Sequence, residues 1–141
     1  AALIASCTPE HAVTPRGAFN DLKEACRTSD AAALEGQLSQ GSLARIREAI
    51  ALFSRMEDKQ LEALSGKLGV PAERLRRLSV RDYCAMTLAA DGGRNVIRTA
   101  TQQDVVGVNR KGIRAVVRVS NGMELPFVKE GPYWKFDMAL L

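Results

Sequence analysis

The hydrophobic period of this chain changes once, near residue 96, and that change decides the fold class. Before it, apolar residues recur at helical spacing. Ala18, Phe19, Leu22, Ala25 and Cys26 form one stripe; Leu43, Ile46, Ala49, Ile50 and Phe53 form another. Leu61, Leu64 and Leu68, then Leu75 and Leu78, then Tyr83, Met86, Thr87 and Ala90 continue the pattern. Each is the apolar face of an amphipathic helix. Start signals fall ahead of them: Thr14-Pro15, Asp30 before Ala31–Leu38, Ser42, Asp58, Pro71, and the capping box Ser79-Val80-Arg81-Asp82. Asp91-Gly92-Gly93 closes the helical half.

After residue 96 the period is two. Val96–Val106, Ile113–Val119, Met123–Lys129 and Tyr133–Ala139 read as four strands rich in Val, Ile, Thr and aromatic residues. Ala115, Val117 and Val119 alternate with Arg114, Val116 and Arg118, and Trp134, Phe136 and Met138 alternate with Lys135 and Asp137. This phase points Asp137 to solvent. Gly107–Gly112, Ser120-Asn121-Gly122 and Glu130-Gly131-Pro132 are the turns, with Asn-Gly a strong hairpin signal. Links this short join only antiparallel neighbours. The expected architecture is α+β, with N-terminal helices packed on a curved four-stranded antiparallel meander.

Composition narrows the function classes. With 141 residues, 46% apolar and 26% charged, the chain suits one globular domain and excludes a disordered or polytopic membrane protein. The net charge of +4 is unevenly placed: residues 1–70 carry 8 Lys/Arg against 9 Asp/Glu, and residues 71–141 carry 12 against 7. The basic residues are scattered, with no aromatic residues interleaved as a stacking platform, so no nucleic-acid partner is expected. The single His and the absence of a Cys-x-x-Cys pair or a carboxylate cluster speak for no metal and no cofactor.

The amino terminus suggests an address. Ile4-Ala5-Ser6-Cys7 resembles a bacterial lipobox, with a branched residue three positions before the Cys and small residues between. Residues 1–6 then read as a signal-peptide remnant and residues 7–14 as a lipidated tether, polar and bounded by Pro9 and Pro15. Several acyl chains on Cys7 give a stable membrane anchor, where one chain would not. In lipoproteins of this kind an Asp after the Cys marks retention at the inner membrane. Thr8 stands there, so the resemblance implies the outer membrane, facing the periplasm. No stretch approaches the ~20 apolar residues of a spanning helix.

The closing segment Leu125-Pro126-Phe127-Val128-Lys129-Glu130-Gly131-Pro132-Tyr133-Trp134-Lys135-Phe136-Asp137 resembles the final hairpin of the nuclear transport factor two-like superfamily. Thr14–Asp30 resembles that superfamily's opening helix, and its small lipoprotein members often follow a lipobox directly; residues 57–87 match poorly. The resemblance implies that residues 15–141 form a cone-shaped α+β domain with a cavity between helices and sheet. That fold hosts isomerases, dehydratases and binding modules alike, so it does not give function.

Catalytic candidates are few. His11 falls in the tether; Tyr83 sits on an apolar helix face and Asp91 in a helix-ending turn. Cys26 and Cys84 remain in an oxidising compartment, either bridged or as two separate buried thiols. Phe19, Phe53, Tyr83, Phe127, Trp134 and Phe136 are core residues or the lining of an apolar pocket. The expectation is a non-enzymatic envelope lipoprotein whose domain binds a protein partner or small apolar ligand, or is a structural part of an envelope assembly. The alternative is a small cavity enzyme of the isomerase or dehydratase type.

Overall fold

A computed structural model describes residues 12–90 and 95–138. Cys7, His11 and Asp91 lie outside them. The helices are α1 (Pro15–Thr28), α2 (Ala31–Gln37), α3 (Gln40–Arg55), α4 (Asp58–Leu68), α5 (Ala72–Leu75), α6 (Val80–Ala89) and α7 (Val96–Thr101). They are followed by β1 (Val105–Lys111), β2 (Arg114–Val119), β3 (Glu124–Glu130) and β4 (Tyr133–Phe136). The strands pair antiparallel in the order β1-β2-β3-β4, an open meander. The α+β architecture is therefore the one the period change predicts.

Local chemistry sets most helix starts. Thr14 Oγ1 accepts from the Gly17 N–H with Pro15 in the first turn, and Asp30 accepts from the Ala33 N–H. Ser79 and Asp82 complete the capping box, each accepting the other's backbone N–H. Three starts differ from expectation. The helix expected to start at Pro71 and to bear Leu75 and Leu78 begins at Ala72, with Pro71 in the cap position, and ends at Leu75. The helix expected to be capped by Ser42 begins at Gln40 and is capped by Ser39, whose Oγ accepts from the Ser42 N–H. Asp58 is the first residue of α4 rather than its cap, and Glu57 in the cap position makes no side-chain bond.

The larger correction falls on Val96–Val106. Its first half is helix α7, not strand, because Asn95 Oδ1 caps the Arg98 N–H and Ile97, Ala100 and Thr101 are buried at helical spacing. Packing of that face against α1 overrides the strand preference of a β-branched run. The first strand consequently slides into the residues read as a turn. Gly107 pairs with Arg118 beside a bulge at Val106, and the true turn is at Gly112, with φ of +62°.

The core is split. Phe19, Leu22, Cys26, Leu34, Cys84, Leu88 and Ile97 from the helices meet Ala115, Val117, Val119, Leu125, Phe127, Trp134 and Phe136 from one sheet face. A second, smaller core joins Leu61, Leu75 and Leu78 between α3, α4, α5 and α6. The chain crosses from α2 to α3 along the outer edge of β4: the Ser39 N–H donates to Phe136 O at 2.9 Å, and Leu38 bridges Phe136 in parallel. Further along the same edge, the Trp134 N–H donates to Ala12 O at 2.7 Å.

Candidate functional site

One concavity lies on the helical side, over the smaller core. It is an open groove of about 940 Å³. Its lining includes Phe53 of α3, Leu64 and Leu68 of α4, Val70, Leu78, Tyr83 and Met86 of α6, and Ala90. These side chains meet here because α5 packs on both α4 and α3, while α6 is held mainly against α2 and α3. Leu68 remains 40% exposed, so the apolar lining is open to solvent.

The ionisable groups of this lining are Lys67, Arg74, Asp82 and Tyr83. Asp82 is committed to the capping box. Hydrogen bonds from the Ser79 backbone and hydroxyl hold its carboxyl below the usual range, with the nearby Arg74 charge adding to the effect. Asp82 thus serves as a fixed acceptor, and Arg74 and Lys67 add basic groups to a lining of mixed polarity.

The six aromatic residues weighed as pocket lining divide. Phe53 and Tyr83 line the groove. Phe19, Phe127, Trp134 and Phe136 do not; each is 1% exposed in the main core. Phe127 and Phe136 are cross-strand partners with ring centroids 5.7 Å apart and planes tilted by 58°. The Arg110 guanidinium lies over the Trp134 ring, 5.0 Å from its centroid.

Cys26 and Cys84 are free and buried, the second of the two alternatives left by the sequence. Their surroundings differ. Cys26 faces Thr101 and Arg98 of α7, and burial raises its pKa. Cys84 sits near Glu35 and Arg81; burial, helped by the Glu35 charge, pushes its thiol up to about 11. Glu35 and Arg81 form an ion pair at 3.1 Å and both line a smaller cleft shared with Leu43, Glu130 and Lys135.

Asp137 corrects the sequence phase. It is 9% exposed rather than solvent-facing, because β4 ends at Phe136 and the alternation no longer sets its direction. Its Oδ1 accepts from Ser39 Oγ at 3.0 Å, and Arg114 Nη1 lies 3.9 Å from Oδ2. The Ser42 Oγ lies 2.8 Å from Ser39 Oγ and accepts from the Met138 N–H at 2.8 Å. This cluster closes the N-terminus of α3 over the end of β4. Sequence reasoning singled out Ser42 as a helix start but missed the pairing with Asp137, since no local pattern joins residues 98 positions apart.

Among the described residues, no group of three or more His, Cys, Asp or Glu side chains is placed to hold a metal ion. No described helix is long and apolar enough to cross a membrane. No protein-family model, curated protein or solved structure matches the chain.

Proposed function

We propose that this chain is a lipid-tethered protein of the bacterial envelope, anchored at Cys7, whose helical side is a non-catalytic binding module for an apolar guest. The guest is a small apolar ligand or the apolar side chains of a protein partner. The groove between α3, α4, α5 and α6 carries this reading: an open groove of about 940 Å³ whose lining includes Phe53, Leu64, Leu68 and Met86, with Arg74 among its charged groups. The lipobox supports the envelope address.

The probe for the groove is anilinonaphthalene sulfonate, whose rings suit the lining and whose sulfonate suits Arg74. Its fluorescence should rise and saturate at one site on the folded chain. Met86→Arg should abolish that rise while leaving the circular dichroism spectrum unchanged. A rise that survives Met86→Arg, or none at all, would refute the groove as the site.

A further inference from the structure

We propose that the hairpin end of the sheet, formed by Arg110, Lys111, Ile113, Arg114 and Lys129, docks on an anionic lipid surface. The proposal rests on the reading of Cys7 as a lipid anchor.

Three backbone contacts place this end of the molecule. The Lys129 N–H donates to Ile113 O at 2.7 Å, Lys129 is the register partner of Trp134, and the Trp134 N–H donates to Ala12 O. Ile113, Lys129, Trp134 and Ala12 therefore form one row across the sheet. Neighbouring strands lie about 4.8 Å apart, so Ile113 and Ala12 are separated by roughly 14 Å. Cys7 is five residues before Ala12, and extended chain covers at most about 3.6 Å per residue, a reach of roughly 18 Å. An acyl anchor on Cys7 thus lies within reach of this end of the sheet.

The surface at that end suits such a partner. Arg110, Lys111 and Arg114 flank the β1–β2 turn and are exposed, and Lys129 lies beside them. Arg114 approaches Asp137 at 3.9 Å, whereas no described carboxylate forms an ion pair with Arg110, Lys111 or Lys129. Glu130, the last residue of β3, accepts from the Gln40 N–H at 2.9 Å. At the tip stands Ile113, 61% exposed. A soluble polyanion would satisfy the cations and leave Ile113 in water. A lipid interface takes both, with headgroups on the cations and the isoleucine at the acyl boundary.

The test uses the unacylated 141-residue chain and co-sedimentation with vesicles of phosphatidylcholine alone or mixed with phosphatidylglycerol. The chain should partition onto the mixed vesicles only, and raised salt should release it. Lys111→Glu with Ile113→Ser should lower the partition by about tenfold or more, given the energy of each basic residue at an anionic surface. Arg77→Glu, an equal charge change on the helical side, should leave it within about twofold on the same scale. No partition onto mixed vesicles, an equal loss with Arg77→Glu, or binding to heparin in place of vesicles would overturn the proposal. The anchor is tested apart, by membrane fractionation of the Cys7→Ser chain in cells. Retention that depends on Cys7 without vesicle partition sinks the docking surface alone; partition without Cys7-dependent retention sinks the anchor alone.

Discussion

Ser39 and Asp137 stand 98 residues apart in the chain and are joined by a 3.0 Å hydrogen bond. The same Ser39 oxygen accepts from the Ser42 N–H and so caps α3. One hydroxyl therefore ties the start of a 16-residue helix to the residue that follows the last strand. Because both partners are buried, removing either leaves the other without its bond. Ser39→Ala and Asp137→Ala should each cost about 1–3 kcal/mol in urea denaturation. The double variant should cost less than the two together, by about 0.5 kcal/mol or more. Strict additivity would show that the bond contributes nothing.

Asn95 is 2% exposed and works at both ends of its amide. Its Oδ1 caps α7 through the Arg98 N–H, and its Nδ2 donates to Thr87 O at 3.0 Å and Ala90 O at 3.2 Å at the end of α6. Asn95→Asp keeps the cap but turns the donor into an acceptor facing carbonyls. It should destabilise by about 2–4 kcal/mol, more than Asn95→Ser, which keeps a capping oxygen without the repulsion. Thermal unfolding of the two variants side by side checks the order, and equal midpoints would mean that only the cap matters.

The helical and strand halves were legible because period and capping act locally. Ser79 and Asp82 show this, since their box is written in four consecutive residues and formed as read. The stripe of α1, from Ala18 to Cys26, is buried as its spacing predicts. Failure came where tertiary packing decides. Val96, Ile97 and Thr99 have strand propensity, yet burial of Ile97 and Ala100 against α1 makes them helical. The candidate site was half legible for the same reason. Periodicity assigns Phe53 and Tyr83 to helix faces, but it cannot say that α4 and α5 leave them beside a groove while Phe19 and Trp134 are sealed in the core.

The groove rests on a core of few residues. Leu61, 1% exposed, holds α4 to Leu75 and Leu78, whereas Leu68, on the same helix, is a 40% exposed part of the wall. Leu61→Ala should cost about 2–5 kcal/mol and Leu68→Ala under about 1 kcal/mol. Hydrogen exchange of α4 should accelerate strongly in the first variant and little in the second. Comparable acceleration in both would mean that Leu68 is a core residue and not groove lining.

Cys84 gives the fold a dependence on alkaline pH whose sign follows from its surroundings. The folded thiol is pushed from the ordinary 9.0 up to about 11, first by burial and then by the Glu35 charge. Between those values the folded chain holds a proton that the unfolded chain has released, so stability falls as pH rises. The contribution is intact below pH 9.0 and is lost through the folded value near 11, up to about 2–3 kcal/mol. The raised Cys26 adds in the same direction. Cys84→Ala, which removes the titrating group at the cost of a small cavity, should be less stable than the parent at neutral pH and should flatten the decline above pH 9.0. Urea midpoints measured across this range decide the matter: parallel declines in parent and variant would assign the alkaline loss to other groups.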